Sequence, residues 1–373
     1  MKILILNWRD IKNPTSGGAE VLTHEIAKRW VSWGHQVSQF SSVYPGAKSS
    51  EVVDGVQIIR RGHPYTRFII SSVHFLAFIY YLKNFRNKFD VVIDEVHGIP
   101  FFTPWYVKEK KVVLICEVAD GLWKRIFGTI LGTIGLFVEN FYLRLVYKNS
   151  PYLTISESTK TDLIRHSVSE KQITVLPMGI TVPKNLALAE KTPEPTLIFV
   201  GRLSRSKGVE DAIYTLAFVI KKHPKARLWI VGRGILPYRQ RLEIMVKRLN
   251  LEGHVQFFGF VSEEEKFTLM GKAHLLITPS FREGFGLTVP EAGMVGTPAI
   301  GYNTMGLKDV IKDNENGILL RKNSPKAMAA AIEELLSDKK QYQRLSKQAI
   351  VLAGHYDWDK TAKKALAVIE EIS

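Results

Sequence analysis

Residues 281–296 read FREGFGLTVPEAGMVG. They follow His274-Leu-Leu-Ile-Thr278, a short apolar run closed by Pro279, which predicts a buried strand. Gly284 and Gly286 then form a turn, and Thr288-Val-Pro-Glu291 opens a helix. Two glutamates, Glu283 and Glu291, thus bracket a glycine loop where a strand gives way to a helix N-terminus. Open α/β sheets bind ligands at such junctions, and the free N–H groups of a first helical turn favour a phosphate. Carboxylates accept hydrogen bonds from hydroxyl groups. A nucleotide-sugar offers both partners, a diphosphate and two sets of hydroxyls. A structural role competes for one of the two acids: Thr288-x-x-Glu291 has capping-box spacing, so Glu291 could serve only its own helix end. Glu283, in the loop, has no such local role.

Working outward, the 373 residues predict two domains. Ordinary shares of hydrophobic (46%) and charged (23%) residues argue against disorder. The single cysteine, Cys116, excludes an internal disulfide and a cysteine-based zinc site and fits a reducing cytoplasm. The N-terminal apolar run, Lys2–Leu6, is too short for a signal peptide. A net charge of +15 calls for an anionic partner: nucleotide, membrane surface or nucleic acid. Part of that excess is local, since residues 202–248 hold 12 basic against 3 acidic side chains. No nucleic-acid module is visible, so no nucleic-acid partner is expected.

In chain order, Lys2–Leu6 predicts a strand and Gly17-Gly18 leads into a helix over Ala19–Trp30. Further strands are expected at Gly34–Phe40, Val56–Arg60, Phe89–Ile93, Val112–Cys116 and Ser150–Ile155, alternating with helical stretches. His97 follows the strand Phe89–Ile93, a loop position that more often carries a structural or solvated histidine. Ser156 or Ser158 caps a helix to His166, and Ile173–Ile180 closes the first half. Thr181–Pro195, with three prolines and no period, is the linker. The second half repeats the opening: strand Thr196–Val200, loop Gly201–Gly208, helix Val209–Lys222. Strands at Arg227–Val231, His254–Phe258, Leu275–Thr278 and Pro298–Ile300 follow. Helices Lys326–Leu336 and Trp358–Ile372 end the chain. Two uncharged runs, Phe68–Leu82 and Ile126–Val138, fall short of a bilayer span; they predict buried helices, with a monotopic surface on anionic lipid as the alternative because basic residues flank both.

The segment EGFGLTVPEAGMVGTP, with seven residues between its two glutamates, resembles the signature of the family-four retaining glycosyltransferases. Other marks of that family run from Gly17-Gly18 to the last helix, so the resemblance covers nearly the whole chain. It implies an α/β GT-B fold: two Rossmann-like domains with a cleft between them, an acceptor-side domain at 1–180, a donor domain at 181–357, and a C-terminal helix 358–373 returning to the first. It implies retaining transfer of a hexose-type sugar from a nucleoside diphosphate sugar to a glycan or lipid-linked acceptor. The enzyme would be cytoplasmic, at most peripheral on the inner membrane face.

The roles carried over are these. Arg202, Lys207, Gly18, Gly286 and Leu287 would hold the diphosphate, and Glu291 the ribose. Glu283, the catalytic candidate, would meet the sugar with Gly284 and Phe285. Phe260 and Val261 would meet the base. Gly17, Gly18, Cys116 and Glu117 would line the acceptor side. No cofactor is implied beyond the donor, and no metal: fixed positive charge and helix dipoles can stabilise a departing diphosphate. The chain departs from the family at Cys116, where relatives commonly carry a histidine, so no catalytic histidine is assigned. Glu117 and Asp120 are then expected to bear on acceptor or sugar choice. Beside Glu117 the Cys116 thiol would be a poor nucleophile. Competing functions are a sugar-nucleotide epimerase or phosphorylase of the same fold, and a non-catalytic basic protein binding membrane or nucleic acid.

Overall fold

The computed structural model describes residues 1–63, 69–119, 122–184, 186 and 189–372. It divides into two units, Met1–Gly179 with Asp357–Ser373, and Ile180–Tyr356.

The first unit carries β1 (Lys2–Leu6), β2 (Gln36–Ser41), β3 (Ser50–Val53), β4 (Val56–Arg60), β5 (Val91–Val96), β6 (Lys110–Ile115), β7 (Tyr152–Thr154) and β8 (Ile173–Val175). Their order in the sheet is β3-β4-β2-β1-β5-β6-β7-β8. Every pairing is parallel except β3 with β4, a hairpin turned at Asp54-Gly55. The central strands are buried on both faces, which is why they read as near-continuous apolar runs. Strand order reverses between β1 and β5, so ligands are expected at the carboxyl ends of that pair. The last helix, Trp358–Ile372, packs on helix Gly18–Ser32. There Trp30 Nε1 donates to the Ala362 carbonyl (3.0 Å) and Arg29 Nε to Asp359 (2.5 Å). A side chain at Gly179 would collide with Trp358, so the backbone there must stay bare.

The second unit carries β9 (Thr196–Val200), β10 (Arg227–Val231), β11 (Val255–Gly259), β12 (Leu275–Thr278), β13 (Ala299–Tyr302) and β14 (Gly317–Leu320). The order β11-β10-β9-β12-β13-β14 is that of a doubly wound nucleotide-binding sheet, with its reversal between β9 and β12. Buried apolar side chains fill both of its faces.

The two uncharged runs behave differently. In the first, Val73, Ala77 and Tyr81 form a buried face that Phe85 continues beyond the run; Phe68 and the flanking Arg67 lie outside the described residues. The second corrects the expectation of a buried helix. Helix Leu122–Phe141 turns Ile130, Leu131, Ile134 and Phe137 outward, because only its other side meets the unit core. With the wider turn Tyr142–Val146 it extends the apolar stretch to Gly128–Val146, long and apolar enough by length and composition to cross a bilayer, contrary to the shorter span counted in sequence.

Candidate active site

Two loops meet at the reversal of the second sheet, Gly201–Gly208 after β9 and Pro279–Leu287 after β12. Phe281 N donates to the Ser206 carbonyl (2.9 Å). Gly208 has φ +70, and a Cβ there would stand 2.1 Å from the Pro279 carbonyl oxygen; only glycine lets the loops close this far. The contact delivers Lys207 to Glu283. Lys207 Nζ pairs with Oε2 of Glu283, and Ser280 Oγ donates to Oε1 (2.8 Å). From the other side Glu283 N donates to the Met305 carbonyl (3.2 Å), and Gly306, at φ +78, approaches the Glu283 carbonyl where a Cβ would sit 2.4 Å away. Lys207 and Ser280 therefore hold the carboxylate, while the Met305-Gly306 segment holds the backbone of the same residue.

Arg202 lies in the same loop as Lys207, exposed and without an ion pair among the described residues. Leu203 N donates to the Arg233 carbonyl (2.7 Å), joining that loop to the one after β10. Arg233 is a cation that sequence reasoning passed over; its guanidinium lies 4.3 Å from the ring centre of Phe260, itself 68% exposed. Val261 packs into the core instead. Phe285 sends its ring to Tyr356 (5.8 Å, edge-on) and the core, so what Gly284, Phe285 and Gly286 can offer a ligand is backbone.

Glu291 does not make a capping box. Helix Thr288–Met294 begins after Leu287 without a side-chain cap, and the Glu291 carboxylate pairs with Lys266 Nζ at 3.1 Å. Burial pushes this carboxyl above the usual range, and Lys266 draws it part of the way back. Lys266, shared with Glu263 (2.8 Å), lies 25 positions away, and nothing in the local sequence announces it.

The first sheet has its own cluster at its reversal. Gly17 N, ahead of helix Gly18–Ser32, donates to Glu20 (2.7 Å). The fully buried Glu95, on β5, accepts from Asn7 Nδ2 and Thr23 Oγ1, each at 2.5 Å, and pairs with His97 Nε2 at 2.9 Å. His97 stacks on Trp8 (5.3 Å), with Arg9 against the same indole (3.9 Å). Burial pulls the imidazole pKa down, but the hydrogen bond and charge of Glu95, aided by Glu20, outweigh it and raise His97 above its usual value. Glu95 is itself raised by burial, partly offset by His97.

Val96 pairs with Ile115 at the end of the ladder, and Cys116 is the residue after Ile115. Cys116 is buried, its carbonyl accepts from Thr159 Oγ1 (3.1 Å), and burial with Glu95, Glu20 and Glu117 pushes the thiol far up. That is the opposite of an activated nucleophile. Glu117 is half-buried; Asp120 lies outside the described residues. Glu95 and Asn7 were absent from the sequence-based set, although an acid pair in a central strand, Asp94-Glu95, is itself a signal because buried charge needs partners.

One tripeptide qualifies the metal-free expectation. Asp357-Trp358-Asp359 has D-x-D spacing, which the sequence reading overlooked. Here Asp357 Oδ1 accepts from Asp359 N (2.7 Å) and Asp359 pairs with Arg29, so both acids serve the helix start.

Family models match both halves: "Glycosyltransferase Family 4" over residues 16–182 and "Glycosyl transferases group 1" over 185–351. The chain belongs to the family-four glycosyltransferases. An uncharacterised glycosyltransferase of Methanocaldococcus jannaschii is 26% identical, over 99% of this chain and 97% of that one. Sucrose-phosphate synthase from Thermosynechococcus elongatus superimposes with a TM-score of 0.79 at 21% identity, covering 99% and 98% of the two chains. Anabaena HepE, solved in complex with UDP-glucose, gives 0.77 at 16% identity over the whole of both chains. These likenesses establish the GT-B fold.

Proposed function

We propose that this family-four glycosyltransferase transfers a hexose-type sugar with retention from a nucleoside diphosphate sugar to a glycan or lipid-linked acceptor, without a metal. The observation that carries the reading is the Lys207–Glu283 pair at the sheet reversal, beside the exposed Arg202. Cleavage of the bond from sugar C1 to the diphosphate leaves negative charge on the departing phosphate. Arg202 offers a planar fork to its oxygens, Lys207 a point charge, and Gly286 and Leu287 the N–H groups of a helix start. Glu283 accepts hydrogen bonds from the sugar hydroxyls, and a phosphate arriving at Lys207 competes for the ammonium that now neutralises it. Glu291 takes the ribose hydroxyls, and Phe260 with the backbone of Val261, whose side chain packs on the core, the base; Arg233 adds a cation beside them.

In the first unit, Gly17, Gly18, Cys116 and Glu117 form the acceptor side, with Gly18 also assigned to the diphosphate. His97, held by Glu95, adds an imidazole there whose pKa is raised by that carboxylate. The UDP-glucose bound by the HepE protein supports a nucleotide-sugar donor here. The enzyme works in the cytoplasm, reaches the inner membrane face through anionic lipid, and has no nucleic-acid partner and no cofactor.

The test is release of nucleoside diphosphate from a panel of nucleotide-sugars, with and without EDTA. Release unaffected by the chelator is expected. Loss with EDTA and rescue by a divalent ion contradicts the metal-free mechanism, and no release from any donor contradicts the donor class.

A further inference from the structure

We propose that the outer face of helix Leu122–Phe141 and the turn after it is the surface that docks on an anionic lipid bilayer. This rests on the membrane placement proposed above and names the surface responsible. Ile130, Ile134, Phe137, Phe141 and Leu145 recur at helical spacing, forming one stripe, and all five are exposed, Ile130 at 79% and Phe137 at 72%. Trp105, 65% exposed, stands beside Phe141 with ring centres 6.4 Å apart; indoles favour the headgroup level of a bilayer. A contiguous exposed apolar row of this length marks an interaction surface.

Charge selects the occupant. Lys124, Arg144 and Lys148 are exposed around the stripe, and the only acid within the described part of residues 122–149 is Glu139. That acid is buried, accepting from Ala119 N (2.8 Å) and Trp123 Nε1 (3.1 Å). The exposed face is therefore apolar, and the exposed charges described on this segment are all basic, the pattern of a helix lying in the interface of an anionic membrane. The kink at Gly128 places Lys124 against the helix: a Cβ on Gly132 would sit 2.4 Å from the Lys124 Cα, so the small residue brings that cation back alongside.

Gly128–Val146 is long enough by length and composition to span, but docking lays it in the plane of the interface. Glu139, Tyr142 and Leu143 are buried in the unit, and spanning would tear them from it. The first run, Phe68–Leu82, is not the docking surface, because its described helix buries Val73, Ala77 and Tyr81.

The full chain is sedimented with vesicles of phosphatidylcholine alone and of phosphatidylcholine with phosphatidylglycerol, at low and high salt. Wild type is expected to pellet with the anionic vesicles at low salt. The pairs Ile134→Ser with Phe137→Ser, and independently Ile130→Ser with Leu145→Ser, should each weaken binding by roughly tenfold or more, with unchanged melting temperatures because the stripe is exposed. Lys124→Glu with Arg144→Glu should remove the salt-sensitive part. If wild type binds anionic vesicles and both serine variants bind equally well, the stripe is not the surface, while the membrane reading stands. If wild type ignores anionic vesicles, both are overturned. Dimerisation of wild type that the serine variants abolish gives the stripe to a second copy and overturns the proposal.

Discussion

Lys207 and Glu283, 76 residues apart in sequence, meet as an ion pair where the loops after two adjacent strands close on each other. The pairing satisfies both charges in the unliganded chain, and it sets a cation and a hydroxyl-accepting carboxylate side by side.

Glu283→Gln keeps the volume and one acceptor but loses the charge that pairs with Lys207. Turnover is expected to fall on the order of 100-fold, with nucleoside diphosphate affinity nearly unchanged. Near-normal turnover in the folded variant would remove Glu283 from the catalytic role.

Lys207→Ala and Arg202→Ala should each weaken nucleoside diphosphate binding by about tenfold, the scale of a lost charge-assisted hydrogen bond, while nucleoside binding changes little. Calorimetric titration of both ligands checks this. Equal losses for nucleoside and diphosphate would mean an indirect effect.

His97 should titrate above 6.5, its ordinary value, because Glu95 and Glu20 outweigh burial. Its protonation then stabilises the fold fully below the ordinary value, and that contribution is lost as pH rises through the raised one. Replacing Glu95 with Gln removes the charge, so the imidazole pKa should fall, as histidine NMR titration can show. An unmoved pKa would separate the two side chains.

Much of this was visible in sequence, and for physical reasons. β1, β4, β9, β10 and β12 have the limits expected from the chain, since short apolar runs there are bounded by Gly, Pro, Asn or charged residues. β3 was missed although Asp54-Gly55 is a two-residue hairpin signal; the strand before it, Ser50–Val53, is an edge with little apolar pattern. The Lys207–Glu283 pair was named as two separate ligands, because contacts between loops far apart in sequence leave no local trace. The partner of Glu291 was hidden for the same reason, and capping-box spacing offered a wrong one. Outward exposure of the second apolar run is only the alternative reading in sequence, because an uncharged stretch has the same composition whether core or lipid covers it.

Cys116→Ser should keep most activity. The thiol is buried among acids that push its pKa up, so it acts as a small apolar side chain. Loss of turnover in a folded Cys116→Ser protein would bring the thiol back into the chemistry.

The most direct measurement is the anomeric configuration of the first product, followed by NMR from an α-linked nucleoside diphosphate sugar labelled at C1. An α-configured product, formed in step with free nucleoside diphosphate and abolished by Glu283→Gln, is the predicted result. A β-configured product, or sugar transfer that leaves the nucleoside diphosphate bond intact, would contradict it.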